Sequence, residues 1–168
     1  MRGVGYAVGT LAVVIVIMVG ELRVSRRHEQ ALLRRGAIEP PDPVYPTMRW
    51  AYPATFVAMA IESSIAGSPA AAVAFGGAAV FVAAKALKFW AIATLAERWT
   101  FRVVVPPDAP LVTGGPYRWL RHPNYVAVVG ELVGCALLLG ARITGPVSLV
   151  LFGYLLRRRI AAEERALY

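Results

Sequence analysis

Apolar residues fill five stretches of the chain, roughly Val4–Gly20, Tyr45–Ile65, Ala70–Leu95, Tyr125–Ala141 and Ile143–Leu156, and polar residues crowd the intervals between them. Crossing the hydrocarbon core of a bilayer takes about 17–25 residues per helix, so the pattern predicts five membrane helices. The last two are short and are divided only by Arg142-Ile143-Thr144-Gly145-Pro146, which reads as a tight turn between antiparallel helices. The predicted fold class is all-α: an integral membrane helical bundle of about five transmembrane helices ending in a helical hairpin.

The polar intervals differ in kind. "ELRVSRRHEQALLRR" after the first stretch reads as a basic amphipathic helix stopped by Gly36 and a proline-rich connector, and it is expected to lie on the headgroups. His28 in that helix is expected to be solvated. "SSIAGSP" is a short uncharged turn. "ERWTFRVVVPPDAPLVTGGPYRWLRHP" has no spanning pattern, and its β-prone Phe101–Val105 and Leu111–Thr113 around Pro106-Pro107-Asp108 predict a small hairpin or ordered loop. Irregular backbone beside a membrane covers or builds a cavity. Lys85 and Lys88 inside the third stretch either snorkel, the cheaper option for a lysine stem, or face a polar cavity. Glu62 is open to the same two readings, and Cys135 reads as a small buried hydrophobe.

Composition supports the bilayer as solvent: of 168 residues, 58% are hydrophobic and only 17% charged. The net charge of +8 is concentrated in Arg23 to Arg35, Arg98 to Arg121 and Arg157 to Arg165. With five spans these segments share one side, so the positive-inside rule puts the N-terminus outside and the C-terminus in the cytoplasm. Arginines that border spans meet anionic headgroups, and this basicity does not point to nucleic acid. The first stretch follows Arg2 but leads to no small-x-small cleavage site, so a retained anchor is expected. No His or Cys partners His28 at ligand spacing, and no metal site is predicted.

The densest chemistry lies in "GGPYRWLRHPNYVAVVGE", Gly114 to Glu131. Pro123 suits the first turn of the fourth helix, which sets His122 and Asn124 at a helix N-terminus, where backbone N–H groups and the dipole favour an anion. Glu131 lies about two turns deeper, where a bare carboxylate needs a cation. A second string, "RRRIAAEERAL", places Arg159 and Glu163 four residues apart on one helical face with Glu164 beside them. If the last two spans form a hairpin, the two strings converge.

"GPYRWLRHPNY", a glutamate in the next helix and then "RIAAEERAL" together resemble the isoprenylcysteine carboxyl methyltransferase family of integral membrane methyltransferases. The resemblance covers roughly Glu97 to Leu167, and short bacterial members associated with type III polyketide synthases look most similar. Ala127 stands where many members have glycine. The resemblance implies S-adenosylmethionine as methyl donor, held at the cytoplasmic face by Tyr117, Arg121, His122, Pro123, Tyr125, Glu163 and Glu164 beneath the preceding loop. It also implies a lipophilic acceptor arriving from the bilayer among membrane lipids. Arg159 is the candidate to orient the acceptor oxygen; Glu131 either takes a proton from a phenol or enol or pairs with an arginine.

No soluble-type glycine-rich fingerprint is present. The expected organisation is 1–95 for the N-terminal helices with the basic interfacial helix, and 96–168 for the catalytic region. Competing readings are a phospholipid N-methyltransferase, an NADPH-dependent sterol-type reductase sharing the Arg-His-Pro-Asn-Tyr string, and a non-enzymatic scaffold with polar residues as helix glue. Among O-methyl acceptors, an alkyl-pyrone or resorcinol-type lipid is favoured over a prenylcysteine carboxylate.

Overall fold

A computed structural model of the chain describes residues 2–107 and 110–167. It contains five α-helices: α1 (Arg2–Arg34), α2 (Tyr45–Ala66), α3 (Ala71–Leu95), α4 (Pro123–Leu139) and α5 (Thr144–Leu167). Single 3₁₀ turns at Ala96–Arg98 and Gly115–Arg118 bracket the long α3–α4 loop. Two of the helical segments, Gly3–Arg34 and Ala71–Arg98, are long and apolar enough to cross a membrane.

Side chains and glycines fix where the helices stop and how they meet. Asp42 Oδ1 accepts from the Val44 and Tyr45 N–H groups at 3.0 and 3.2 Å, capping α2 from the connector. Glu62 does the same for α5, accepting from Ile143 N–H, Thr144 N–H and the Thr144 hydroxyl at 2.9, 2.8 and 2.6 Å. Its carboxylate therefore ties α2 to the hairpin turn. Gly140, at φ 67°, closes α4 in the left-handed conformation, with Ala141 N–H reaching back to Ala136 O at 2.8 Å. Helices α3 and α4 approach so closely that a Cβ on Gly77 would lie 2.3 Å from Leu138 N, and one on Gly134 2.5 Å from Phe81 N. Phe56, Met59, Leu132, Leu139 and Phe152 form the apolar core between α2, α4 and α5.

Three expectations need correction. The basic segment is no separate interfacial helix, because α1 runs without a break to Arg34. Its polar face is occupied by the loop: the Phe101 N–H donates to Ser25 Oγ at 2.7 Å, and His28 Nδ1 lies 2.8 Å from Trp99 O. His28 is thus a half-buried loop anchor, not a solvated side chain. Secondly, of the two forms expected for the segment, the ordered loop is found and the hairpin is not, among the described residues. Val105 instead makes an isolated antiparallel bridge with Ile38 of the α1–α2 connector, with both N–H···O distances 2.9 Å. Asp108 of the expected turn lies outside the described residues. Finally, of the two readings of Lys85 and Lys88, snorkelling is excluded: both are buried, at 5% and 1% exposure, and Lys88 borders the cavity described below.

Candidate functional site

The α4–α5 hairpin brings the two charged strings together. Pro123 supplies the first residue of α4, and the Tyr125 and Val126 N–H groups both turn back to His122 O, at 3.1 and 3.3 Å. Proline carries no N–H, so Asn124 alone in the first turn keeps a backbone donor for an incoming group. Its side-chain oxygen is buried and unpartnered. His122 Nε2 lies 3.3 Å from Glu164 Oε1 and its Nδ1 3.8 Å from Glu163 Oε2. The Tyr125 hydroxyl donates to Glu163 Oε2 at 2.6 Å, and the His122 and Tyr125 rings stack with centroids 5.6 Å apart.

Arg159 stands at the junction of four segments. Its guanidinium pairs with Asp42 of the connector, donates to Phe101 O of the loop at 2.5 Å and reaches the Tyr125 hydroxyl at 3.3 Å. The Tyr45 ring lies 5.6 Å from it. At 5% exposure it is among the buried charged residues of the molecule. Its i,i+4 neighbour Glu163 bonds Tyr125 instead, so the pair acts through the tyrosine between them.

These residues border a cavity of about 940 Å³ roofed by the α3–α4 loop. Tyr117, Arg121, His122, Pro123, Tyr125, Arg159, Glu163 and Glu164 all line it. Arg121 and Glu164 also border a shallower hollow with Ala161 and Arg165. Burial, reinforced by the Glu163 carboxylate, pushes the Tyr117 phenol well above its ordinary range. It stays a neutral hydrogen-bond donor.

Glu131 is not among the lining residues. It closes a four-membered ring of alternating charges: Lys85 Nζ lies 2.6 Å from Glu21 and 2.9 Å from Glu131, and Lys88 Nζ 3.3 Å from Glu21 and 2.6 Å from Glu131. The Tyr52 hydroxyl donates to Glu131 Oε2 at 2.6 Å. The ring joins α1, α3 and α4, with α2 attached through Tyr52. The cation that meets Glu131 is a pair of lysines, where the sequence suggested an arginine.

Sequence reasoning missed Asp42, Glu21 and Tyr52. An aspartate just ahead of a helix start is a capping signal, so Asp42 was legible as a cap, but its second oxygen's contact with Arg159 was not. For Glu21 and Tyr52 the only signal is an unexplained polar atom near one end of an apolar run.

A family model for isoprenylcysteine carboxyl methyltransferases matches residues 77–168. An uncharacterised protein of Bacillus subtilis (strain 168), YpbQ, is 32% identical over 157 residues, covering 94% of each chain. An uncharacterised protein of Haemophilus influenzae is 30% identical over 159 residues, covering 94% of this chain and 92% of its own. No solved structure matches. The matched segment contains α3 from Gly77 onward, the roofing loop and the hairpin that carries the Arg121–Tyr125 and Arg159–Glu164 strings. With the family match resting on the segment that carries both charged strings of the cavity, and relatives aligned over nearly their whole length, this chain belongs to the isoprenylcysteine carboxyl methyltransferase family of integral membrane methyltransferases.

Proposed function

We propose that the protein transfers a methyl group from S-adenosylmethionine to an oxygen of a lipophilic acceptor, an alkyl-pyrone or resorcinol-type lipid ahead of an isoprenylcysteine carboxylate. We place it in a bacterial inner membrane with the N-terminus outside and the cavity and C-terminus cytoplasmic, following the distribution of arginines. The observation that carries this reading is the convergence of His122, Tyr125, Glu163 and Glu164 on one roofed cavity shared with Arg159.

The residues suit such a donor. The Asn124 oxygen is a buried acceptor without a partner, and Glu163 and Glu164 are carboxylates suited to an ammonium or ribose hydroxyls. The start of α4 favours a carboxylate through its dipole and the Asn124 N–H, and Tyr117, His122 and Tyr125 offer ring walls for a base. When bound, S-adenosylmethionine supplies an electrophilic methyl on a cationic sulfur. Arg159, held from three sides, orients an acceptor oxygen by a charge-assisted hydrogen bond and so contributes positioning. Glu131, locked between two lysines outside the cavity, acts in this reading as part of the helix-joining charge ring instead of as a base.

Calorimetry on protein in nanodiscs with S-adenosylmethionine and, separately, NADPH tests the assignment. Saturable binding of the first and none of the second is expected; NADPH binding alone would replace the methyltransferase reading with a reductase. His122→Ala and Glu163→Ala should each weaken donor affinity about tenfold, the worth of one charge-assisted hydrogen bond. Wild-type affinity in both removes these side chains from the donor site.

A further inference from the structure

Arg159 and Glu163 stand four residues apart on one face of α5, a spacing at which an arginine and a glutamate on a helix pair. Here they do not. All three guanidinium nitrogens are engaged elsewhere: one pairs with Asp42, one donates to Phe101 O, and Nε reaches the Tyr125 hydroxyl at 3.3 Å. That hydroxyl donates in turn to Glu163 Oε2 at 2.6 Å, so one neutral group separates the two charges. Among the described residues no arginine or lysine pairs with Glu163, and His122 Nδ1 lies 3.8 Å from it.

Asp42 is fixed in place by the connector. It follows Pro40 and Pro41 and precedes Pro43. Prolines lock their own φ and restrict the residue before them, so the backbone around Asp42 is stiff. Upstream, Ile38 bridges to Val105 and Glu39 pairs with Arg102 at 3.0 Å. Downstream, Asp42 Oδ1 caps α2, which leaves Oδ2 for Arg159. The side chains of this pair are 6% and 9% exposed, against 29% for Glu163. A buried guanidinium gains more from a carboxylate in the same low-dielectric surroundings than from a more solvated one. Asp42 therefore wins the arginine that the helix spacing would give to Glu163.

Asp42 is absent from the residues that line the cavity, and it lies outside the segment 77–168 that the family model matches. We infer that it is nonetheless a positioning residue of the donor site: by holding Arg159 it leaves the Glu163 carboxylate without a protein cation and open to the ammonium group of the methyl donor. This rests on the donor site proposed above; the division of Arg159 between two carboxylates stands without it. Once the Asp42 charge is removed, a buried guanidinium has lost its partner, which is costly. Glu163, one helical turn on, is within its reach. An ion pair formed there displaces the Tyr125 hydroxyl and competes with the incoming ammonium.

Calorimetry with S-adenosylmethionine on the full chain in nanodiscs tests this. Asp42→Asn keeps an oxygen for the α2 cap and removes only the charge. It should weaken donor affinity about tenfold, as Glu163→Ala does. Two further measurements separate this from general damage to the fold. Adding Arg159→Met to Asp42→Asn should restore affinity to within about twofold of Arg159→Met alone, because no guanidinium is left to compete. In a Glu163→Ala background, Asp42→Asn should cause no additional loss. Wild-type affinity in Asp42→Asn, a loss that Arg159→Met fails to restore, or a loss that adds to that of Glu163→Ala each overturns the inference. Should Asp42→Asn not fold, Arg159→Met decides: binding as tight as in the wild type supports the inference, and a tenfold loss makes Arg159 itself a donor ligand and overturns it. Weakened binding in Glu163→Ala without weakening in Asp42→Asn sinks this inference alone. No binding to the wild type overturns the donor reading, and this inference with it.

Discussion

Glu131 lies about two turns inside α4 and is buried, at 1% exposure. Its depth in an apolar run demanded a cation, and that demand is met, but by Lys85 and Lys88 from α3. A buried charge that loses its partner costs about 3–5 kcal/mol. Glu131→Gln leaves two lysines with one carboxylate, so thermal unfolding in nanodiscs should show a destabilisation of that order, with donor affinity of the folded protein unchanged. Retained stability with lost turnover would instead mark Glu131 as a base. Asp42 carries a comparable lesson, because one carboxylate oxygen caps α2 while the other meets Arg159. A local capping signal reveals the first role. The second depends on where a helix more than a hundred residues later lies.

The closest helix pair in the bundle, α3 with α4, is set by glycines. The sequence shows Gly77 and Gly134 in apolar runs, where glycine costs about 1 kcal/mol relative to alanine in a helix. That cost is offset because each backbone occupies the space a Cβ would need. Gly77→Ala and Gly134→Ala should each destabilise the bundle by about 1–3 kcal/mol, the usual cost of overpacking. Gly20→Ala has nothing within 4 Å of its new methyl, so it should be neutral or stabilising by up to about 1 kcal/mol. Melting temperatures of the three variants in one detergent check this; a milder loss at Gly77 than at Gly20 would contradict the packing. The loop between these helices was less legible. Val105 is strand-prone in the sequence and does pair, but in a single bridge with Ile38, because α1 holds the loop through Ser25 and His28 and leads directly into the connector that carries Ile38.

For the whole molecule, the proposed orientation predicts that green fluorescent protein fused to the C-terminus fluoresces in intact bacteria, whereas alkaline phosphatase at the same position stays inactive. The reverse pattern would place the cavity on the outer face. By itself the sequence determined the number and order of the helices, the turn that folds α4 against α5, and the two strings that line one end of the cavity. Those features follow from local hydropathy, from proline and glycine, and from a hairpin too short to close any other way. Only the tertiary structure decided that α1 continues past the bilayer-length run to carry the loop. It also decided that two lysines are buried in a charge ring, that Asp42 holds Arg159, and that residues of α1 and α2 help line the cavity. Each of these is a meeting of side chains from elements far apart in the chain. Periodicity along one helix says which face is apolar or charged, but not which distant face will come to lie against it.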